Sequence, residues 1–285
     1  MTTAPSSLPS LDALPPADVA RACAEAGVTK AGRDTLTLLT LGILAGAFIA
    51  LGAVAMVTTL TGASVLPWGV ARLLGGCAFS LGLILVVIGG AELFTGDCLM
   101  VVAWASRRIA TAALLRAWIT VYVGNLLGAG ATAALLFLSE HYRMDGGLVG
   151  STLLTIASNK AALPTQPLVF LSILCNVLVC LAVWMALSAR STVDKVAVIV
   201  PAVTAFVAAG FEHSIANAFI FPYALLVKEH APTEFWTLIG REPETLTALT
   251  WANAGWNVLV ATLGNLLGGS LLVGGVYWFI YLRRR

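Results

Sequence analysis

The part of the sequence that decides the fold is a short motif with two ionisable side chains, Gly210-Phe211-Glu212-His213-Ser214. It interrupts an apolar stretch, since residues 196–211 and 214–227 contain no charged side chain. A single helix from 196 to 227 would be about 48 Å long, whereas the hydrocarbon core of a membrane is only ~30 Å thick. The sequence therefore predicts two half-helices that meet at a break near Glu212 and His213. Transporters and channels use such breaks to place polar groups at the membrane midplane.

The composition is that of a polytopic membrane protein. Hydrophobic residues occupy 59% of the 285 positions and charged residues 11%, which excludes an ordinary soluble enzyme. The formal net charge of +2 gives no reason to expect a nucleic-acid partner. The cysteines show neither metal-ligand spacing nor a disulfide pattern, so no metal or other cofactor is expected. No signal peptide is visible; the first residues are expected to be disordered, and residues 16–33 to form a short amphipathic helix.

Runs without charged residues predict six membrane spans. They cover residues 35–71, 73–91, 117–139, 161–189, 196–211 together with 214–227, and 245–282. The second run continues beyond Glu92 and Asp97 to Ser106, so the second span is expected to be broken like the fifth. The predicted fold is an all-α integral membrane protein with a cytoplasmic segment, residues 1–34, and one six-span domain, residues 35–285.

Basic residues fall on one side of a six-span topology. They precede the first span, join the second to the third and the fourth to the fifth, and follow the last: Arg21, Lys30, Arg33, Arg107, Arg108, Arg190, Lys195, Arg283, Arg284 and Arg285. The opposite loops carry mostly acidic residues. Because positive residues concentrate on the cytoplasmic side of membrane proteins, both termini are predicted to be cytoplasmic.

The two halves of the chain resemble each other. The motif of span 3 recurs in span 6, as Gly124-Asn125-Leu126-Leu127-Gly128 and Gly264-Asn265-Leu266-Leu267-Gly268. At the two breaks, Gly90-Ala91-Glu92 parallels Gly210-Phe211-Glu212. Each half holds three spans, so the halves, about residues 35–139 and 161–282, must lie in opposite orientations. This predicts an inverted repeat whose breaks meet near the midplane.

Four motifs are the most distinctive: Ala91-Glu92-Leu93-Phe94-Thr95-Gly96, Gly124-Asn125-Leu126-Leu127-Gly128, Cys175-Asn176-Val177-Leu178-Val179-Cys180-Leu181-Ala182-Val183-Trp184-Met185 and Gly210-Phe211-Glu212-His213-Ser214-Ile215-Ala216-Asn217. Together they resemble the formate/nitrite transporter family, and within it the formate channels. The similarity extends from about residue 19 to residue 282. One departure is Gly96-Asp97-Cys98, which adds an acidic residue beside the first break.

The resemblance implies an aquaporin-like fold, a homopentamer with a pore in each protomer, and a place in the bacterial cytoplasmic (inner) membrane. It implies a small monovalent anion, formate, as substrate. The implied pathway residues are His213, Thr95 and Asn176 along the pore, Phe79 and Phe206 at an outer constriction, Leu83 at an inner one with Leu93, Phe94 and Val179 nearby, and Lys160 at the external mouth.

His213 carries the most specific hypothesis. An ionisable side chain at membrane depth marks a functional site, and an imidazole gains and loses a proton near pH ~6.5. The structural alternative is a buried histidine whose hydrogen bonds are satisfied by Asn217 or by the backbone. Thr95 is either a donor to the solute or a cap for the half-helix that begins near Gly96.

The buried carboxylates and amides admit structural roles. Glu92 and Glu212 either carry protons or hold the breaks in place by accepting free backbone N–H groups, and Asn217 is assigned to the same loop-stabilising set. For Glu92 the structural role is favoured. Asn125 and Asn265 are predicted to allow close helix packing, with each amide bonded to a neighbour.

These patterns favour a channel or proton-coupled transporter for formate and similar small monovalent anions, in which His213 donates a proton or acts as counter-ion. Nitrite or hydrosulfide transport, a neutral-solute pore and an intramembrane hydrolase are the alternatives. The hydrolase is disfavoured because His213 and Ser214 would point about 100° apart on a helix and no nucleophile elbow is present.

Residues 19–34 are expected either to regulate the inner mouth or to form a solvated helix beside the membrane.

Overall fold

The computed structural model describes residues 12–283, and every regular element within this range is helical. The α-helices are α1 Pro16–Gly32, α2 Thr35–Leu60, α3 Trp68–Gly89, α4 Phe94–Asp97, α5 Val101–Ala105, α6 Thr111–Leu138, α7 Leu148–Ala161, α8 Thr165–Ser188, α9 Thr192–Ala208, α10 Ser214–His230, α11 Thr233–Ile239, α12 Trp251–Leu267 and α13 Val276–Tyr281. A π-helical segment, Gly268–Gly275, joins α12 to α13. The predicted disorder at the start of the chain, and Arg284 and Arg285, lie outside the described residues.

Within residues 12–283, five helices are long and apolar enough to cross a membrane. They are α2, α3, α6, α8 and the continuous helix Trp251–Tyr281. A further apolar stretch is divided into α9 and α10, each of 17 residues. The predicted class, an all-α protein with membrane-spanning helices, is confirmed.

Several helix boundaries differ from the predicted spans. Helix α2 ends at Leu60 rather than near residue 71, because Gly62, with φ of +70°, and Pro67 form a turn before α3. Helix α6 begins before residue 117, whereas α8 and α12 begin after residues 161 and 245. Absence of charge marks where a chain can enter a membrane, whereas glycine, proline and capping side chains mark where a helix begins and ends.

Both interruptions predicted within spans are present. The first half-helix of each pair ends at a glycine in the left-handed region, Gly90 with φ of +80° and Gly210 with φ of +76°. Such glycines end helices because a side chain would be strained there. Residues 90–93 separate α3 from α4, and residues 209–213 separate α9 from α10. The carboxylates of Glu92 and Glu212 therefore sit in non-helical backbone.

The repeated glycine motifs hold two helix pairs at close range. Helix α6 packs on α2, and a Cβ on Gly124 would lie 2.7 Å from the Leu39 carbonyl oxygen. Helix α12 packs on α8, and a Cβ on Gly264 would lie 2.6 Å from Ser172 Cβ. Small residues permit this approach between membrane helices. The predicted close packing at both motifs is confirmed.

The predicted N-terminal helix is present as α1 and docks on the helical bundle. Its apolar face, with Val19 and Cys23, packs in a cluster that includes Trp184. At its exposed side, Arg108 donates to both oxygens of Glu25 at 2.8 and 2.9 Å. The docking places the end of α1 beside the first break.

Candidate substrate pathway

Two cavities follow one another along α3. The first, of about 240 Å³, is lined by residues that include Phe79, Phe206 and His213, and we call it the His213 cavity. The second, of about 210 Å³, is lined by residues that include Lys30 and Leu83, and we call it the Lys30 cavity. Phe79 and Leu83 are one helical turn apart, about 6 Å along the axis. About one turn of α3 therefore separates the two cavities.

Two buried asparagines clamp the breaks in the same way. At the first break, the Asn125 amide nitrogen donates to the carbonyl oxygens of Gly42 and Glu92, at 2.8 and 2.9 Å, and its oxygen accepts from Phe94 N–H at 2.9 Å. At the second, Asn265 makes the matching contacts, which join Ser172 O, Glu212 O and Ser214 N–H at 2.7, 2.9 and 2.9 Å. At each break one amide thus bonds two of the freed backbone groups, a carbonyl and an N–H, which confirms that each amide bonds a neighbouring segment.

His213 connects the second break to the first. It caps α10, because its Nδ1 accepts from Ala216 N–H at 3.1 Å. Its Nε2 lies 3.2 Å from Thr95 Oγ1, on the first turn of α4. Both side chains are buried. Thr95 does not cap α4, because Leu93 occupies the cap position and the Thr95 hydroxyl contacts the imidazole instead. That Thr95 donates to the solute stays a prediction.

Aromatic rings stand beside His213. The rings of Phe79 and Phe206 meet edge to face, with centroids 5.9 Å apart. The Phe206 ring stacks on the imidazole at 6.0 Å. All three side chains line the His213 cavity, so the two residues expected at an outer constriction lie together next to the histidine.

The residues expected at the inner constriction are only partly brought together. Leu83 and Leu93 line the Lys30 cavity, and Val179 belongs to the same buried cluster as these two leucines. The Phe94 ring instead packs on Tyr122, with centroids 5.0 Å apart, and lines neither cavity. The phenylalanine follows Leu93 in sequence but points to the other side of the break.

Asn176 is fully buried in α8 and faces the last helix. Its amide nitrogen donates to the Asn265 carbonyl oxygen at 2.6 Å. Gly269, in the π-helical segment, packs directly against it: a Cβ on Gly269 would lie 2.4 Å from Asn176 Nδ2 and 2.7 Å from Cys180 Sγ. The resemblance predicted Asn176, but nothing in the residue pattern predicted the π-helical backbone that packs against it.

A charged network surrounds the second break. The Lys160 ammonium lies 2.7 Å from Glu212 Oε1, and the Asn217 amide donates to Glu212 Oε2 at 2.7 Å. Asn257 accepts a further bond from Asn217 at 2.8 Å. The partners of the Glu212 carboxylate are thus side chains of other elements, not the backbone N–H groups that were expected. Lys160, predicted at a mouth, lines the His213 cavity.

A denser charged network surrounds the first break. Lys30 lies 2.6 Å from Glu92 Oε2 and 2.5 Å from Asp97 Oδ1, and Arg33 contacts Glu92 Oε1. Here too the carboxylate pairs with cationic side chains instead of backbone N–H groups. Asp97, the departure from the family motif, is buried and shares Lys30 with Glu92. Both cations come from the N-terminal segment, so α1 contributes part of the Lys30 cavity.

Sequence reasoning missed Arg72 as a site residue. The Arg72 guanidinium lines the His213 cavity and donates to the Val207 and Ala208 carbonyl oxygens, at 2.5 and 3.2 Å. These carbonyls lie in the last turn of α9, where helix carbonyls lack intrahelical partners. The sequence did contain an indication, because Arg72 is the single cation between the uncharged runs 35–71 and 73–91.

The contacts of His213 bear on the hydrolase alternative. Its Nδ1 bonds Ala216 N–H and its Nε2 faces Thr95, so neither ring nitrogen is directed at Ser214. Ser214 contributes its backbone N–H to the Asn265 clamp. A hydrolytic serine needs a base within hydrogen-bond reach of its hydroxyl, and the imidazole does not meet that requirement here.

The fold and this pathway define a class: a multi-pass membrane protein in which broken helices bring polar groups to a buried point between two cavities, as in channels and transporters. The particular family follows from direct similarity. Residues 17–279 match the family described as Formate/nitrite transporter, and the chain belongs to that family.

Individual relatives agree with this assignment. The chain is 46% identical over 273 residues to a protein named "Formate channel FocA" from Escherichia coli (strain K12), covering 95% of this chain and 96% of that one. It is 38% identical over 263 residues to a protein of the same name from Haemophilus influenzae, with 92% and 93% covered. A solved structure described as "Pentameric formate channel with formate bound" matches with a TM-score of 0.83 and 43% identity, covering 87% of this chain and 98% of that one. The predicted family is confirmed, and these relatives are channels, not enzymes.

Proposed function

We propose that this protein is a membrane channel or proton-coupled transporter for formate and similar small monovalent anions. The anion passes through each protomer, from the His213 cavity past His213 and Thr95 to the Lys30 cavity. The observation that carries this proposal is the 3.2 Å contact between His213 Nε2 and Thr95 Oγ1, which joins the two breaks at a buried point. The names of the similar proteins support formate as the solute.

The cap on α10 governs how His213 acts. Because Nδ1 accepts from Ala216 N–H, the proton of the neutral imidazole resides on Nε2, which faces Thr95. A second proton on Nδ1 would face another N–H, so charging the ring requires that the cap bond be broken. The neutral ring offers a donor that stabilises an arriving anion, and proton relay proceeds through a transient imidazolium released from its cap.

The other pathway residues have separate roles in this proposal. Phe79 and Phe206 form the constriction on one side of His213, and Leu83, Leu93 and Val179 form the constriction on the other. Asn176 holds the last helix against the pathway. Lys160 attracts anions to the His213 cavity, while Glu212 keeps it in place; Glu92, Glu212 and Asn217 stabilise the breaks. Phe94 supports α4 from the side that faces Tyr122.

Nitrite is the second candidate solute, because the family description includes it. Nitrite and formate are both small, planar anions of weak acids, and hydrosulfide is another monovalent anion of a weak acid. A single imidazole donor between apolar constrictions recognises charge and size, features that the three solutes share.

Uptake into proteoliposomes tests the proposed function. We expect formate uptake to rise as the external pH is lowered from 8 to 5, because the anion and a proton are both required at His213. Nitrite and hydrosulfide are measured in parallel, and glycerol serves as the neutral control. Glycerol uptake equal to that of formate would overturn the proposal in favour of a neutral-solute pore.

We further propose an aquaporin-like architecture of six spans in two inverted repeats, with the second and fifth spans broken. The matching Asn125 and Asn265 clamps support the repeat. The repeats are about residues 35–139 and 161–282 within a domain of residues 35–285, and residues 1–34 form a cytoplasmic segment. The pentameric assembly of the similar formate channel structure supports a homopentamer within the lipid bilayer.

Cysteine labelling tests the proposed topology, in which both termini face the cytoplasm of a bacterial inner membrane. We expect Lys195→Cys and Arg21→Cys to react with an impermeant thiol reagent only after the cells are opened, and Glu244→Cys to react in intact cells. Because Cys77 is exposed, the variants are made in a Cys77→Ser background. Labelling of Lys195→Cys in intact cells would invert the orientation.

The N-terminal segment is proposed to regulate the Lys30 cavity, since Lys30 and Arg33 form part of that cavity. The Arg108 guanidinium hydrogen-bonds Glu25 and lowers the pKa of that carboxyl. An acid whose folded-state pKa is lowered keeps its contact above its ordinary pKa and loses it as the pH falls further. The Glu25–Arg108 contact is therefore expected to persist at mildly acidic pH and to hold α1 docked.

A further inference from the structure

A groove on the outside of the bundle combines apolar and basic features. Its volume is about 480 Å³, and its apolar walls come from α5, the π-helical segment and α13, through Val101, Trp104, Ala105, Leu271, Gly275, Val276, Trp278 and Phe279. We call it the tryptophan groove. A polar pocket adjoins it, shares Trp104, Ala105 and Trp278, and adds Arg107 and Arg108. None of these residues belongs to the proposed substrate pathway.

The basic residues cluster at one end of the tryptophan groove. Arg107 and Arg108 follow Trp104 in the turn after α5. At the end of α13, the Arg283 guanidinium lies 3.6 Å from the centroid of the Phe279 ring, and Phe279 lines the groove. Leu271 lies eight residues before Phe279, about two turns away along the π-helical segment and α13. The groove thus runs from a charged end to a mainly apolar end, where Ser270 beside Leu271 adds one hydroxyl to the lining.

Arg107 has the features of a residue held for a ligand. Its φ of +59° lies in the left-handed region, which is uncommon for a residue with a side chain. Both oxygens of Glu25 accept from the Arg108 guanidinium, whereas the Arg107 guanidinium has no hydrogen bond or ion pair to any described residue. Trp104 is fixed nearby, since its indole N–H donates to Thr111 Oγ1 at 2.9 Å.

We propose that the tryptophan groove binds an anionic phospholipid, with the phosphate between Arg107 and Arg283 and an acyl chain along Leu271, Gly275 and Val276. Basic pockets at the cytoplasmic ends of membrane helices recognise anionic headgroups, and tryptophans lie at the level of the headgroups. A second copy of the chain is a poorer occupant, because an apolar partner surface would bury Arg107 without a counter-charge. This proposal is independent of the solute that the protein transports.

Native mass spectrometry of the full-length protein tests this proposal. Phosphatidylglycerol and phosphatidylcholine with the same acyl chains are titrated in separate samples. We expect wild type to retain phosphatidylglycerol preferentially. Arg107→Gln and Arg283→Gln are each expected to lower that retention about fivefold, because one basic residue near the surface strengthens the binding of an anionic lipid about fivefold. Lys195→Gln, a matched loss of charge away from the groove, is expected to leave retention unchanged.

A second variant separates the acyl chain from the headgroup. Gly275→Phe fills the groove while all three arginines remain, and we expect it to reduce retention of both lipids. Equal retention of the two lipids by wild type would overturn the proposal, as would full retention in the arginine variants. A smaller oligomer with unchanged lipid retention in Gly275→Phe would assign the groove to a neighbouring copy of the chain instead.

Discussion

Replacing His213 by asparagine is expected to abolish the pH dependence of formate uptake and to lower uptake at pH 5 at least about tenfold. Loss of a hydrogen bond to a charged group costs about 1.5–3 kcal/mol, which corresponds to a factor of ten or more. Asparagine cannot titrate, but its side-chain oxygen is a good helix cap and can replace Nδ1 as acceptor for Ala216 N–H. The measurement is initial uptake into proteoliposomes between pH 5 and pH 8.

The retained cap makes this substitution informative. His230→Asn is the matched control, because His230 is exposed at the end of α10 and lines neither cavity. We expect His230→Asn to transport like wild type, and both variants to unfold at temperatures close to that of wild type. If His213→Asn shows unaltered uptake across the pH range, the imidazole has no role in transport.

The main architectural features were predictable because they follow from local chemistry. A carboxylate inside an apolar run too long for one span predicts a break, and both breaks occur beside Glu92 and Glu212. The repeated glycines predicted close helix packing, which is present at Gly124 and Gly264. Helix ends were predicted less well, because a turn at glycine or proline, such as the one at Gly62 and Pro67, can lie inside an uncharged run.

The contacts within the site were harder to predict, for a physical reason. Glu92 and Lys30 are far apart in sequence, and no periodic pattern relates a cation on a docked helix to a carboxylate in a break. The direction of Phe94 depends on the backbone of a four-residue helix, which a resemblance in sequence does not specify. The Asn125 and Asn265 amides were expected to bond a neighbour, but only the backbone of the breaks identifies that neighbour. The transport roles of the pathway residues remain predictions.

Replacing Asn265 by leucine is expected to destabilise the second break and to eliminate transport. Leucine has the same branched shape and number of heavy atoms but no polar group, so it would leave the buried Glu212 carbonyl oxygen and Ser214 N–H without the bonds they now make, at 2.9 Å each. Each orphaned group costs about 1–3 kcal/mol, so we expect a loss of roughly 2–6 kcal/mol in stability. The measurements are the temperature of thermal inactivation of the detergent-solubilised protein and formate uptake.

Two further variants distinguish the clamp from general effects of an added apolar side chain on α12. Asn253→Leu changes an exposed asparagine whose amide bonds the Ala248 carbonyl oxygen, and it should leave uptake intact because it lies outside both breaks. Asn125→Leu removes the corresponding clamp at the first break and should reproduce the damage, since its three bonds match those of Asn265. Were Asn265→Leu to inactivate at the temperature of wild type, the backbone at the break would be held by other contacts, and His213 would not depend on the clamp for its position opposite Thr95.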